Sequence, residues 1–279
     1  MANNENRLSI RCSLFAIRYW LLAALTPALV AFASLAALPA HARDLVVYGE
    51  PTLKPVLTSL GALWRAKGNS RVHVFVAPTD LSFEQIAHEA RCDVIFALAG
   101  PATDAAEERE LFDADSKVEA FRNSLVVVAR GGWPVPTGAL LAGKRLAIAD
   151  PDRDIAGRYG LAALRAAGSP IDTAGKDVKM AEGAAGVLQF LADGNADMGV
   201  VYASDAAANP QFKILAGLDT STHPPIAYVA AQAANVDENS DSKGFIAFLG
   251  TPEAKAAIMS AGLVPIERAT AQIQPVSRP

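Results

Sequence analysis

The sequence is short of the side chains that carry most chemistry. Two cysteines occur in 279 residues. Only Cys92 lies beyond the first 42, so no internal disulfide can form in the remainder. Of the four histidines, His73, His88 and His223 fall on a strand, a helix and a proline-rich loop, without metal-ligand spacing. The sequence also lacks a Gly-x-Ser-x-Gly elbow, a phosphate loop ending in Gly-Lys-Ser/Thr and a dinucleotide glycine fingerprint. An exported enzyme is therefore the least supported class, since only carboxylates from distant segments are left for acid–base work. No metal or other cofactor is implied. Positive charge is scarce as well, with 25 Lys and Arg against 29 Asp and Glu and no basic run. That balance argues against nucleic acid and anionic membrane surfaces as partners.

The first 42 residues stand apart in composition. Arg7, Arg11 and Arg18 precede an apolar run over 21–38, which closes in Pro39-Ala40-His41-Ala42. This is the pattern of a secretory signal peptide cut after Ala42, which makes the protein periplasmic. The run is also long enough to be read as a membrane anchor, but Pro27, Pro39 and the small residues before Arg43 favour cleavage. No lipid-attachment cysteine stands at the end of the run, since Cys12 lies before it. The segment holds three of the basic residues and one of the acidic ones, so the remaining 237 residues carry a formal charge of −6. They can bury one sizeable core or two modest ones.

Short apolar runs alternate with segments of helical period, which predicts an α/β protein with mainly parallel sheets. Strands are expected at 45–48, 72–77, 94–97, 125–129, 145–149, 198–202, 212–215 and 226–231. Helices are expected at 53–67, 81–90, 159–167, 183–192, 242–249 and 252–261. The first helix lines up Leu53, Val56, Leu57, Leu60, Leu63 and Trp64 on one stripe, which makes Trp64 a core anchor. Cys92, at the mouth of an apolar strand, reads as buried filler. Glu107-Glu108-Arg109-Glu110 reads as a solvated face.

What recurs is the strand-to-helix junction with small or hydroxyl residues: Tyr48–Thr52, Ala77–Leu81, Asp154–Gly157 and Glu182–Gly186. Ligands collect at the carboxyl ends of strands in open α/β sheets, where such junctions lie. A helix's first turn offers unpaired N–H donors and the positive end of its dipole, so it can hold an oxyanion without a cation. The small Ala156 and Gly157 would let a ligand touch the main chain. Tyr202, at a strand end, is a half-buried packing residue or a phenol donor into a cleft.

Several segments together resemble the molybdate-binding proteins of ABC importers, within the type II periplasmic solute-binding fold. They are Asn123-Ser-Leu-Val-Val-Val-Ala129, Asp150-Pro151 with Ala156, Gly157 and Tyr159, and Gly199-Val-Val-Tyr-Ala-Ser-Asp-Ala206. Gln85-Ile86, Cys92-Asp93 and Lys67-Gly68 extend the likeness from about Asp44 to Ile266. The resemblance implies two α/β lobes around a ligand cleft, with lobe one at 43–122 plus 226–279 and lobe two at 123–225. It implies a tetrahedral oxyanion, molybdate or tungstate, held by neutral donors. The partner would be the permease of an inner-membrane ABC transporter, and the binding protein a monomer. Carried over by position, the donors are the backbone N–H groups of Ala156 and Ala184, the Tyr202 hydroxyl and Thr79.

At the first junction the sequence departs from the family, which has a serine where Pro51 stands. Proline has neither hydroxyl nor N–H. Glu50 beside it is worse, because a carboxylate ~5 Å from a dianion at an effective dielectric of ~20 is repelled by about 6–7 kcal/mol. That rivals the ~8 kcal/mol of a micromolar ligand. Glu50 could point away, it could be protonated, or a register shift of one could bring Thr52 into the serine's place. Pro51 could also simply start the helix as its first residue. Two further readings stay open: the same fold with another small solute that Glu50 accepts hydrogen bonds from, and a sensor or interaction module outside transport.

Overall fold

The computed structural model describes residues 43–131, 143–169, 171–237 and 240–266. The expected signal peptide and its cleavage site lie outside these residues. In chain order the strands are β1 (Leu45–Gly49), β2 (Val72–Val76), β3 (Val94–Leu98), β4 (Val118–Asn123), β5 (Leu125–Arg130), β6 (Leu146–Ala149), β7 (Val178–Ala181), β8 (Met198–Tyr202), β9 (Phe212–Gly217), β10 (Ile226–Gln232) and β11 (Val264–Pro265). They form two sheets, ordered β11-β4-β10-β3-β1-β2 and β7-β6-β8-β5-β9. Strands β1, β2 and β3 are parallel to one another, as are β6, β7 and β8, while β4, β5, β9, β10 and β11 pair antiparallel. The α/β expectation holds, with more antiparallel pairing than the sequence suggested. The chain passes from the first sheet to the second between Asn123 and Leu125 and returns between Gly217 and Ile226.

The helices are α1 (Lys54–Ala66), α2 (Thr79–Ala87), α3 (Pro101–Glu108), α4 (Ile155–Ala166), α5 (Gly183–Ala192), α6 (Ala203–Ala208), α7 (Ser242–Phe248) and α8 (Pro252–Ser260). Helix α1 buries Val56, Leu57, Leu60 and Trp64 on one stripe, so the tryptophan is the anchor its spacing predicts. Its ring lies 5.6 Å, centroid to centroid, from both Phe245 and Phe248 of α7. Strands β1, β3, β5 and β6 are apolar runs buried almost throughout, the signature of sheets covered on both faces. Cys92 is buried as filler, and burial pushes its thiol far above the ordinary range.

The misses have local causes. Strand β4 and the edge strand β7 were not expected because charged residues interrupt them, Glu119 and Arg122 in one and Lys179 in the other. Helix α3 is not among the expected helices and overlaps the solvated face read at 107–110 only in its last two residues, and the six-residue α6 is too short to show a period. Helix α4 begins at Ile155, four residues before the expected start. Its glycines at 157 and 160 lower local helix propensity and hid the first turn.

A buried carboxylate fastens the start of the described chain. Asp93, fully buried, accepts from the Val46 amide (2.8 Å), Arg43 Nη2 (3.0 Å) and Ser240 Oγ (3.1 Å). Buried charge is tolerated where it is paired and hydrogen-bonded in this way. Substituting Trp64→Ala should remove about 3–5 kcal/mol of stability by emptying the α1–α7 contact. Urea unfolding followed by tryptophan-independent circular dichroism measures it, and a loss below ~1 kcal/mol would contradict the anchor role.

Candidate functional site

Parallel strands aim their carboxyl ends at helix starts, and the candidate residues sit at those ends. Glu50 follows β1, Thr79 opens α2 after β2, Asp154 precedes α4 after β6, Ala184 lies in the first turn of α5 after β7, and Tyr202 ends β8. The first two belong to one sheet and the last three to the other. Alternate sheets thus contribute to one region, as expected at strand carboxyl ends.

On the first sheet's side, Glu50 does not point away. Its Oε1 accepts from the Thr79 backbone N–H at 2.7 Å and from the Thr79 hydroxyl in a very short contact. The Leu98 amide in turn donates to Thr79 Oγ1 at 3.0 Å, so the threonine is held from both sides. Pro51 is the first residue of a one-turn 3-10 helix (Pro51–Leu53) with Glu50 at its N-cap. That is the plain helix-start reading of Pro51. The Glu50 side chain makes no capping bond of its own and is free to reach across to α2. Burial raises its pKa above the ordinary carboxylate value, opposed by the Thr79 hydrogen bonds and reinforced by the charges of Asp80 and Asp154.

On the second sheet's side, Asp154 caps α4, with Oδ1 accepting from the Ala156 N–H at 2.7 Å. Its other oxygen faces α5, since a Cβ built on Gly183 would sit 3.5 Å from Oδ2. One carboxylate therefore lies between the first turns of two helices, both of which favour negative charge. Ala184 is half-buried in the first turn of α5, whose N-cap residue Glu182 gives no side-chain cap. Gly157 has a packing role that the sequence reading did not include. A Cβ there would fall 2.1 Å from the Ala149 carbonyl oxygen, so only glycine lets α4 abut the end of β6.

Thr52 lies on a seam between the two sheets. Its hydroxyl donates to Asp205 Oδ1 at 2.7 Å and lies 3.0 Å from Ser204 Oγ. A threonine has one hydroxyl proton, so Ser204 is the donor to Thr52. Asn123 Nδ2, buried where β4 ends, completes the chain by donating to Ser204 Oγ at 2.9 Å. Two phenols share this neighbourhood. Tyr202 is pushed well above the ordinary range by burial and by Tyr228, Asp154, Asp205 and Glu50. Tyr228 is raised by burial and by Glu50, Asp205 and Asp154. Asp205 is raised by its own burial, against the Thr52 hydrogen bond. Glu50, Asp154, Asp205, Tyr202 and Tyr228 thus share one neighbourhood, and among the described residues no ion pair reaches any of its three carboxylates.

Sequence reasoning missed Asp154 as a side chain, although an aspartate just before a helix is a recognisable N-cap. It also missed the joint role of Asn123, Ser204 and Asp205, which no local spacing reveals. The three histidines stay apart: His73 meets Asp44, His88 caps α2, and His223 stacks on Tyr159 at 4.8 Å. Among the described residues no group of His, Cys, Asp and Glu could hold a metal ion.

Residues 45–264 match the family model described as bacterial extracellular solute-binding protein. The chain belongs to that family. This solute-binding protein is 29% identical over 203 residues to the molybdate-binding protein ModA of Escherichia coli K12, covering 68% of this chain and 76% of the relative. The periplasmic molybdate-binding protein of Azotobacter vinelandii superposes with a TM-score of 0.66 at 22% identity, covering 80% of this chain and 99% of that one. The tungstate-binding protein TupA of Desulfovibrio alaskensis G20 gives 0.59 at 12%, covering 81% and 99%. These structures establish the type II binding-protein fold, with two lobes, one around each sheet. Among the described residues of this solute-binding protein, no helix is long and apolar enough to cross a membrane.

Two outcomes follow for the solute-binding protein. Gly157→Ala should cost about 1–3 kcal/mol by driving a methyl into the Ala149 carbonyl, read as a lower urea midpoint; an unchanged midpoint would refute the close approach. Raised carboxyls favour folding while protonated, and that contribution is lost as pH rises through the raised value. Glu50→Gln should therefore raise the Tm of the protein without added anions at about pH 8 and change it little at about pH 5. The reverse order in a thermal melt would show that Glu50 stabilises as an anion.

Proposed function

We propose that this chain is the substrate-binding protein of an ABC importer and that it carries a tetrahedral oxyanion, molybdate or tungstate, between its two lobes. One observation carries the reading. The amide and hydroxyl of Thr79 in one lobe and the amide of Ala156 in the other each hold a carboxylate oxygen. Both lobes therefore present neutral donors arranged for anionic oxygen. Helix N-termini suit such ligands because they supply N–H groups and dipole without a mobile cation. The names of the Escherichia coli, Azotobacter and Desulfovibrio proteins point to the same ligand class.

In this reading the ligand meets Thr79 from lobe one, and Ala156, Ala184 and the Tyr202 hydroxyl from lobe two. Thr52 serves the seam between the lobes. Lobe one comprises 43–122 with 226–279, and lobe two 123–225. The first 42 residues direct export and are cut after Ala42, leaving a periplasmic monomer that delivers its ligand to an inner-membrane permease. It performs no catalysis. Closure of the lobes on the ligand is the hinge motion the transporter reads.

The test is a thermal-shift and calorimetric panel of molybdate, tungstate, sulfate and phosphate. A ligand at ~100 times its Kd stabilises the fold by about 2.7 kcal/mol, so molybdate or tungstate at sub-millimolar concentration should raise Tm, less so in Tyr202→Phe. No shift with any of the four would overturn the ligand class.

A further inference from the structure

We propose that Glu50 and the oxyanion compete for the same two donors of Thr79, so that the ligand binds only as Glu50 gives them up and becomes a neutral carboxylic acid. The inference rests on the oxyanion reading above. One proton from solvent adds to a carboxylate oxygen of Glu50 for each oxyanion bound, and no other bond is made or broken.

Competition follows from counting hydrogens. Thr79 has one amide hydrogen and one hydroxyl hydrogen, and both lie on Glu50 Oε1. Its oxygen is already occupied on the acceptor side by the Leu98 amide. Thr79 has nothing left for a second anion while Glu50 stays.

Protonation follows from what surrounds the carboxylate. From its own turn, Pro51 offers no N–H. Facing it are Asp80 and Thr79 from α2 and Asp154 from the cap of α4, with the phenols of Tyr202 from β8 and Tyr228 from β10 in the same neighbourhood and Asp205 near both phenols. No lysine, arginine or histidine forms an ion pair with Glu50 among the described residues. An arriving dianion adds like charge to a half-buried group with no cation to answer it, and taking up a proton removes that repulsion.

The neutral acid also supplies something the turn lacks. Pro51 has no donor, and the Thr52 hydroxyl proton is spent on Asp205. A protonated Glu50 carries an O–H that can donate to the oxyanion. The side chain that blocks the site as an anion completes it as an acid, which makes Glu50 the residue that sets affinity and its dependence on pH.

The experiment titrates molybdate into the full-length mature protein and into Glu50→Gln, in two buffers of different ionisation enthalpy, from about pH 6 to about pH 8.5. The wild type should take up about one proton per molybdate near pH 8, and its affinity should fall by up to about tenfold per pH unit. Glu50→Gln should take up about none and keep a flat affinity over the same range, tighter than wild type at the alkaline end. Wild-type binding without proton uptake overturns the proposal and leaves the oxyanion reading standing. Uptake that persists in Glu50→Gln also overturns it, because the proton then goes to Asp154 or Asp205. If neither protein binds molybdate, tungstate, sulfate or phosphate, the oxyanion reading fails and this inference with it. Should Glu50→Gln fail to fold, Glu50→Ala in the same buffer pair takes its place, with loss of proton uptake expected and persistent uptake overturning the proposal.

Discussion

The geometry of the cleft is referred to one run of hydrogen bonds, from Asn123 through Ser204 and Thr52 to Asp205. It begins where the chain leaves the first sheet and ends on α6, packed behind the second. Asn123 also opposes Ile226, the residue at which the chain comes back. Both crossings are therefore tied to one another and to the β1–α1 turn. Beside the apolar core that both sheets share, this tie is the polar link between the two sets of strand ends. Asn123 and Ser204 are buried, so water cannot replace these bonds at little cost.

Charge is handled unusually for a place built to hold anions. The donors named above are all neutral, and among the described residues no ion pair reaches the carboxylates beside them. Glu50 and Asp154 are not stray acids, however, because each is solvated by amides or a hydroxyl of the kind an oxyanion would use. A helix N-terminus stabilises its own cap and a foreign ligand by the same physics. The difference lies in burial, which opposes ionisation of Glu50 and of Asp205. Surface acids such as Asp197 and Glu84, paired with arginines, are held below their ordinary range instead. Burial without a cation and pairing with an arginine thus push carboxyls in opposite directions within one molecule.

Much of the architecture could be read from the sequence because apolar runs such as those of β3 and β5 have few other uses. The stripe through Trp64 and the strand-to-helix junctions were legible for the same reason, each resting on a local period. The site was legible only as a set of positions. That Thr79, Ala156, Ala184 and Tyr202 stand at strand ends follows from order along the chain. That Glu50 reaches Thr79, 29 residues away, and Thr52 reaches Asp205, 153 away, does not, since a turn sequence carries no record of which distant backbone faces it. Gly157 shows the limit most plainly. Its smallness is visible, but whether it makes room for a ligand or for the carbonyl of Ala149 is decided by tertiary packing alone.

The tripeptide Glu50-Pro51-Thr52 has a mechanical consequence. At one end its carboxylate grips α2 of lobe one, and at the other its hydroxyl grips α6 of lobe two. Between them sits a proline, whose locked φ leaves little compliance. The three residues that turn the chain from β1 into α1 are therefore also a bracket, holding the start of α2 through one side chain and α6 beside the second sheet through the other.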